Sequence, residues 1–303
     1  MARVALWARA VTGGHEATAT LTEGWRWQKL RSALSVLGLV FLVVIMLMPS
    51  GPNLLHGYDL FAYWSVSPEH PYVLTDGLGG QGVFRYAPPV ALLMAPLKLL
   101  SFGLVQFLWM VGQLACLWFV GRRWALALIL FPPVLMDLAF GNVNIFLAAM
   151  IVAGFRQPGV WSLALLTKVT PVVGLIWFLV RREWRPLAIT LGVAAAIALA
   201  SVAIQGAGIW GEWIAVLSWS AGTDAAQQSL GIPLVLRVAA AAVLIGYAGL
   251  TGRRWLLPIG VVLAMPVLWA VAFTPLVACL PLARVAEDVN AATTSRHTRR
   301  RIT

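Results

Sequence analysis

Long apolar runs alternate with short polar breaks along most of the chain. From Ala33 to Met48 there is no charged residue, and a second charge-free run extends from Leu104 to Val120. Two more uncharged runs cover about 186–204 and, but for Arg237, 232–250. A membrane-crossing helix needs roughly 20 apolar residues, so each run predicts a span. Shorter apolar stretches lie between them. Pro88–Leu100 is too short to cross and predicts a re-entrant or interfacial segment. The stretches 125–138 and 143–155 flank the polar break Gly141-Asn142-Val143-Asn144 and predict a hairpin. Val160–Val180 begins after Arg156 and ends at Arg181-Arg182, so both ends face one side. A single span cannot do that. Thr167-Lys168-Val169-Thr170-Pro171 therefore predicts a turn between two half-helices, with Pro171 disfavouring helical geometry at Thr170. The last apolar stretch, 255–283, contains Pro258, Pro266 and Pro275 and predicts a broken hairpin. Residues 205–230, with Glu212, Asp224 and Gln227-Gln228, predict an outer loop.

The pattern gives an all-α polytopic membrane protein of about nine or ten helices, short and half-helices included. It divides into a basic N-terminal segment at 1–32, a transmembrane domain at 33–283 and a disordered tail at 284–303. No A-x-A-like site follows the first run, which predicts an uncleaved first helix.

Composition strengthens the membrane half of this picture. Of the 303 residues 60% are hydrophobic and 11% charged, against about 25% charged in soluble domains. Mean hydropathy is +0.85 and the pI is near 10.8. The net charge of +11 would suggest nucleic acid in a soluble protein. Here arginines cluster at the ends of apolar runs, the pattern that marks cytoplasmic ends. The partners expected are membrane lipids, not nucleic acid. Both termini are placed in the cytoplasm of a multi-pass plasma-membrane protein. The loop from Pro49 to about Ala87 has no Lys or Arg before Arg85 and is placed outside. The two cysteines lie in apolar runs and the four histidines lack metal-ligand spacing, so neither a disulfide framework nor a metal site is expected.

An ionisable residue at or within the membrane is costly and marks a candidate site. Of 11 acidic residues, Asp59, Glu69, Asp76, Asp137, Glu212 and Asp224 lie in or near outer segments. Asp59 sits in His56-Gly57-Tyr58-Asp59-Leu60-Phe61-Ala62-Tyr63-Trp64. A carboxylate that can take a hydroxyl proton, beside rings that can pack on sugar faces, suits a general base in a sugar or lipid pocket. An aromatic belt around an ordinary loop aspartate is the plainer alternative. Arg85, in Val83-Phe84-Arg85-Tyr86-Ala87-Pro88-Pro89, can bind a phosphate at the membrane surface or simply snorkel. Lys168 has the same two readings. Asn142 and Asn144 suit helix capping or a hydrogen bond to a sugar. No DxD pair and no Rossmann or Walker glycine pattern is present, which disfavours a nucleotide donor.

Taken in order, these segments resemble the GT-C glycosyltransferases of family 87, the DUF2029 group. The matching pieces are Gly57-Tyr58-Asp59 with Tyr63, Phe84-Arg85-Tyr86-Ala87-Pro88-Pro89, Gly141-Asn142-Val143-Asn144 and Leu166-Thr167-Lys168-Val169-Thr170-Pro171 before Arg181-Arg182. The family usually has Tyr-Pro-Pro and Gly-Gln-x-Asn at the second and third of these. The resemblance covers roughly residues 33–200, and the chain looks shorter than typical members at its C-terminal side.

The resemblance implies a GT-C multi-helix bundle with an outward active site. Its donor would be a polyprenyl-phosphate sugar, most often mannose, and its acceptor a glycolipid or glycan, with no further cofactor. Asp59 would be the base of an inverting transfer. Arg85 and Lys168 would hold the leaving phosphate, and Tyr58, Tyr63, Tyr86, Asn142 and Asn144 would line the substrate site. Two other readings of the same residues stand beside it: a transporter or flippase for a lipid or lipid-linked sugar, and an inactive GT-C-like scaffold.

Overall fold

The computed structural model describes residues 57–72, 84–228 and 231–283, with isolated positions between 32 and 40. Those isolated positions are helical and exposed. The basic segment, most of the first span, the loop around Asp76 and the tail lie outside the described residues. All regular structure among the described residues is helical, so the protein is an all-α polytopic membrane protein.

The chain enters the described region through α1 (Tyr58–Ser65) and α2 (Pro88–Met94), the latter prolonged by a 3₁₀ turn at Ala95–Leu99. α3 (Phe102–Gly121) follows, and its N-cap Ser101 accepts a hydrogen bond from the Leu104 amide at 3.4 Å. A short α4 (Ala125–Ile129) leads to α5 (Pro132–Phe140). Pro132 and Pro133 open α5, where an amide proton would have no helical partner. Gly141 closes it at φ 66°, a left-handed cap that glycine adopts without strain. α6 (Asn144–Gly154) then leaves at 112° to α5. The polar break is thus the hairpin tip expected for it.

α7 (Val160–Thr167) stops at Lys168, whose backbone is extended. A 3₁₀ turn at Thr170–Gly174 carries Pro171, and α8 (Leu175–Val180) completes the second half-helix. α9 (Trp184–Gln205) and α11 (Leu234–Thr251) are continuous. Three helical stretches, Phe102–Ile129, α9 and α11, are long and apolar enough to cross a membrane; the bent α5–α6 pair makes a fourth if it is one span. Their outer faces carry Leu199 at 69%, Val243 at 74% and Leu250 at 78% exposure, which suits contact with lipid chains.

Residues 205–230 differ from expectation. The chain turns at Gly206 and runs on as α10 (Gly208–Gln228). Small and polar residues along this stretch masked a helix that packing against α2 and α9 supports. The final stretch is broken as expected, into α12 (Leu256–Leu263) and a 3₁₀ segment at Ala270–Ala278.

In lipid, helices gain little from burying leucine against leucine, so cohesion rests on close packing and internal hydrogen bonds. Both are present. Trp161 is fully buried and lies so close to α6 that a Cβ on Gly154 would meet its indole at 2.4 Å. Trp161 and Trp177 sit in the larger core, with α6, α11, α12 and the 3₁₀ segment Ala270–Ala278. A second, smaller core gathers Leu60, Tyr63, Phe84, Val90, Val105 and Val143. Arg237, 3% exposed, donates from its guanidinium to the carbonyls of Ile232 (3.2 Å), Leu263 (3.4 Å), Met265 and Pro266 (2.8 Å). It thereby closes the broken end of α12.

Candidate active site

Three breaks in helical structure meet at one place. The Gly57 amide donates to the Ala139 carbonyl at 3.1 Å, which fastens the start of α1 to the end of α5. Asp59 lies in the first turn of α1, where the helix end favours a negative charge. Its Oδ2 accepts from the Asn142 Nδ2 at 2.7 Å. Asn142 is aimed by its own turn: its Oδ1 accepts from the Val143 amide at 2.7 Å.

Next in the break, Asn144 is fully buried. Its Nδ2 donates to Asp137 Oδ1 and to the Val271 carbonyl, each at 2.9 Å. Its Oδ1 accepts from Lys168 Nζ at 2.6 Å. Asp137, also fully buried, caps α6 through the Ile145 amide at 2.9 Å. The half-helix turn at Lys168 and the hairpin tip at 141–144 therefore form one connected polar cluster. It reaches Asp59 through Asn142.

Burial raises the Asp59 carboxyl above its ordinary value; the Asn142 hydrogen bond, Lys168 and Arg85 pull it back down. Both cations thus act on this carboxylate. Tyr58 responds to the same charges: burial and Asp59 raise its hydroxyl, while Arg85 lowers it. Arg85 is half-buried and its carbonyl accepts from Trp213 Nε1 at 3.2 Å, so α10 steadies this segment. The arrangement can accept a proton at Asp59 and hold an anion between two cations.

Asp59, Arg85, Asn142, Asn144 and Lys168 thus fall in one neighbourhood. Tyr63 and Asn144 were both expected against substrate, yet neither presents a free surface. Tyr63 is 1% exposed and its hydroxyl shares a 2.6 Å hydrogen bond with that of Tyr86. Tyr86 is half-buried in the same aromatic group, and Tyr72 donates to its carbonyl at 2.6 Å. These contacts support α1, the helix that carries Asp59. Glu69 is exposed on its own segment and Glu212 on α10. Asp76 lies outside the described residues. Among the described residues no group of three or more His, Cys, Asp or Glu could hold a metal ion.

Two members of the cluster were not anticipated as site residues. Asp137 was recognised only as an acid near the break. Gln113, fully buried in α3, donates to the carbonyls of both Asp137 (3.1 Å) and Asn142 (2.8 Å). Its one signal in the sequence was a polar side chain inside an apolar span.

The profile of glycosyltransferase family 87 matches residues 84–295, well over half of the chain. The chain belongs to glycosyltransferase family 87. Arg85, Asn142, Asn144 and Lys168 lie inside the match; Asp59 precedes it and joins those residues through the Asn142 contact. Among the similar proteins is the polyprenol-phosphate-mannose-dependent alpha-(1-2)-phosphatidylinositol pentamannoside mannosyltransferase of Mycolicibacterium smegmatis. It is 27% identical over 165 residues, covering 47% of this chain and 37% of that relative. The chain thus spans little more than a third of that enzyme. No solved structure matches.

Proposed function

We propose that the protein transfers mannose from a polyprenyl-phosphate donor to a hydroxyl of a glycolipid or glycan on the outer face of the plasma membrane, with inversion. The observation that carries this reading is one hairpin tip that holds both Asp59, through Asn142, and Lys168, through Asn144. With Arg85 acting on the same carboxylate, it offers a base and two cations. The relative's printed name supports the choice of donor and of a glycolipid acceptor.

Asn142 occupies Oδ2 of Asp59, which leaves Oδ1 for the substrate. The acceptor hydroxyl gives its proton to that oxygen as its own oxygen bonds to the sugar's anomeric carbon. The bond from that carbon to the phosphate oxygen breaks, and its electron pair leaves with polyprenyl phosphate. Charge grows on the phosphate as the bond breaks, so Arg85 and Lys168 bind the transition state more tightly than the intact donor. Tyr58 and Asn142 line the sugar side; Tyr63, Tyr86 and Asn144 hold the groups that touch it. Arginine-rich ends at 122–123, 156 and 181–182 support a cytoplasmic placement for the far side, with the termini there and Asp59 outside.

The test uses the full chain in nanodiscs with labelled polyprenyl-phosphate mannose and arabinofuranose and a panel of glycolipid acceptors. Asp59→Asn should lower transfer by about 10²–10⁴-fold with unchanged melting. Full transfer by this variant would overturn the base assignment, and transfer of arabinofuranose alone would overturn the choice of mannose.

A further inference from the structure

Asp59 has one direct side-chain partner among the hydrogen bonds described above, the Asn142 amide. What aims that amide lies in a different helix. Asn142 sits just after the left-handed Gly141, in a turn whose backbone is tied at two points. The Asn142 amide donates to the Asp137 carbonyl at 3.0 Å, and its carbonyl accepts from Gln113 at 2.8 Å. The same Gln113 nitrogen donates to the Asp137 carbonyl at 3.1 Å. One side-chain NH₂ thus bridges both ends of the turn, using both of its protons.

Gln113 itself touches no open space: it is fully buried, and its Oε1 has no hydrogen-bond partner among the described residues. Keeping a half-satisfied amide inside a membrane-spanning helix is costly. The return on that cost is the geometry of the turn. We infer that Gln113 is a positioning residue for catalysis, which acts through the Asn142 turn to aim the Asn142 amide at Asp59. The inference rests on Asp59 being the base.

The role is separable from simple packing. Gln113→Met keeps length and volume but removes both donors. In the full chain it should lower kcat about 10-fold or more, since small misplacements of a catalytic group are expensive, and leave KM within about twofold. The loosened Asn142 amide no longer holds down the Asp59 carboxyl, so the acid limb of the kcat profile should move to higher pH. Asn142→Ala should reproduce both changes, and the double variant should be no slower than Asn142→Ala alone. Multiplying effects in the double variant, or an acid limb that stays in place, would overturn the inference.

Should Gln113→Met fail to fold, Gln113→Glu decides. Its carboxyl can donate only when protonated, so its activity should fall as pH rises through the range where wild type is steady. A wild-type profile would overturn the inference. Asp59→Asn run alongside keeps the two readings apart: activity retained there sinks the base, whereas multiplying effects with an inactive Asp59→Asn sink only the role of Gln113.

Discussion

Lys168 and Arg237 are two cations at two breaks in helical structure, and they are built in opposite ways. Arg237 spends its guanidinium on four backbone carbonyls and has no acid nearby among its partners. The Lys168 ammonium has three protons to donate and, among the described residues, makes one hydrogen bond, to Asn144, which itself leans on Asp137. It acts on two carboxylates, Asp59 and Asp137. A cation whose hydrogen bonds all go to main chain serves the fold. One that keeps donors in reserve beside carboxylates is ready for an anion that arrives later. The contrast separates structural from functional charge in a protein where any buried charge would otherwise look functional.

The contrast breaks down if the two residues respond alike to the same substitution. Lys168→Met should lower transfer by about 10²–10³-fold, the range for losing one preorganised charge-stabilising donor. The loss of its one bond leaves the buried Asn144 Oδ1 unpaired and should cost stability about 1–3 kcal/mol, less than four orphaned carbonyls. Arg237→Met should show the reverse pattern. Orphaned buried carbonyls cost about 1–3 kcal/mol each, so the melting temperature in detergent should fall by several degrees or more. Transfer per folded molecule should stay within about twofold, because none of the guanidinium's hydrogen-bond partners belongs to the polar cluster around Asp59. Equal loss of activity in both, measured on monodisperse protein, would end the distinction.

A smaller effect sharpens it. Asp59 must be ionised to act as a base, and its carboxyl lies above the ordinary value. Transfer should therefore fall as pH drops through that raised value, at less acidic pH than an ordinary carboxylate would give. Lys168→Met removes a charge that favours the ionised form, so it should move this limb further up; Arg237→Met should leave it alone. The same shift has a stability sign. A carboxyl raised on folding adds stability below its unfolded value and loses it as pH rises through the folded one. Asp59→Asn should thus melt no lower than wild type near neutrality. A lower melting temperature would mean that the carboxylate props up the fold instead.

Much of this site could be read from local patterns. Gly141 and Pro171 mark backbone breaks by their own conformational limits, and polar residues at such breaks within apolar surroundings announce themselves. Asp59, Asn142, Asn144 and Lys168 were all visible in that way. What they touch was not. Asn144 looked like a cap or a sugar ligand, but its partners Asp137, Val271 and Lys168 come from three separate elements, which only tertiary packing brings together. Tyr63 has the aromatic character of a sugar platform, and the same character makes it good core. Gln113 has no local neighbour in the cluster; its partners lie 24 and 29 positions away. α10 was read as loop because glycines and scattered polar residues weaken a helical signal that docking against α2 and α9 restores.

Gly141 has a further consequence. A methyl group there would stand 2.6 Å from the Cβ of Leu60, the residue next to Asp59. α1 therefore rests on bare backbone, and the depth of the carboxylate is gauged by a missing side chain. A mechanical stop of this kind has no charge to screen and no proton to lose. The spacing between Asp59 and the hairpin tip is thus insulated from the salt and acidity of the medium, even as the chemistry proposed for it remains sensitive to both.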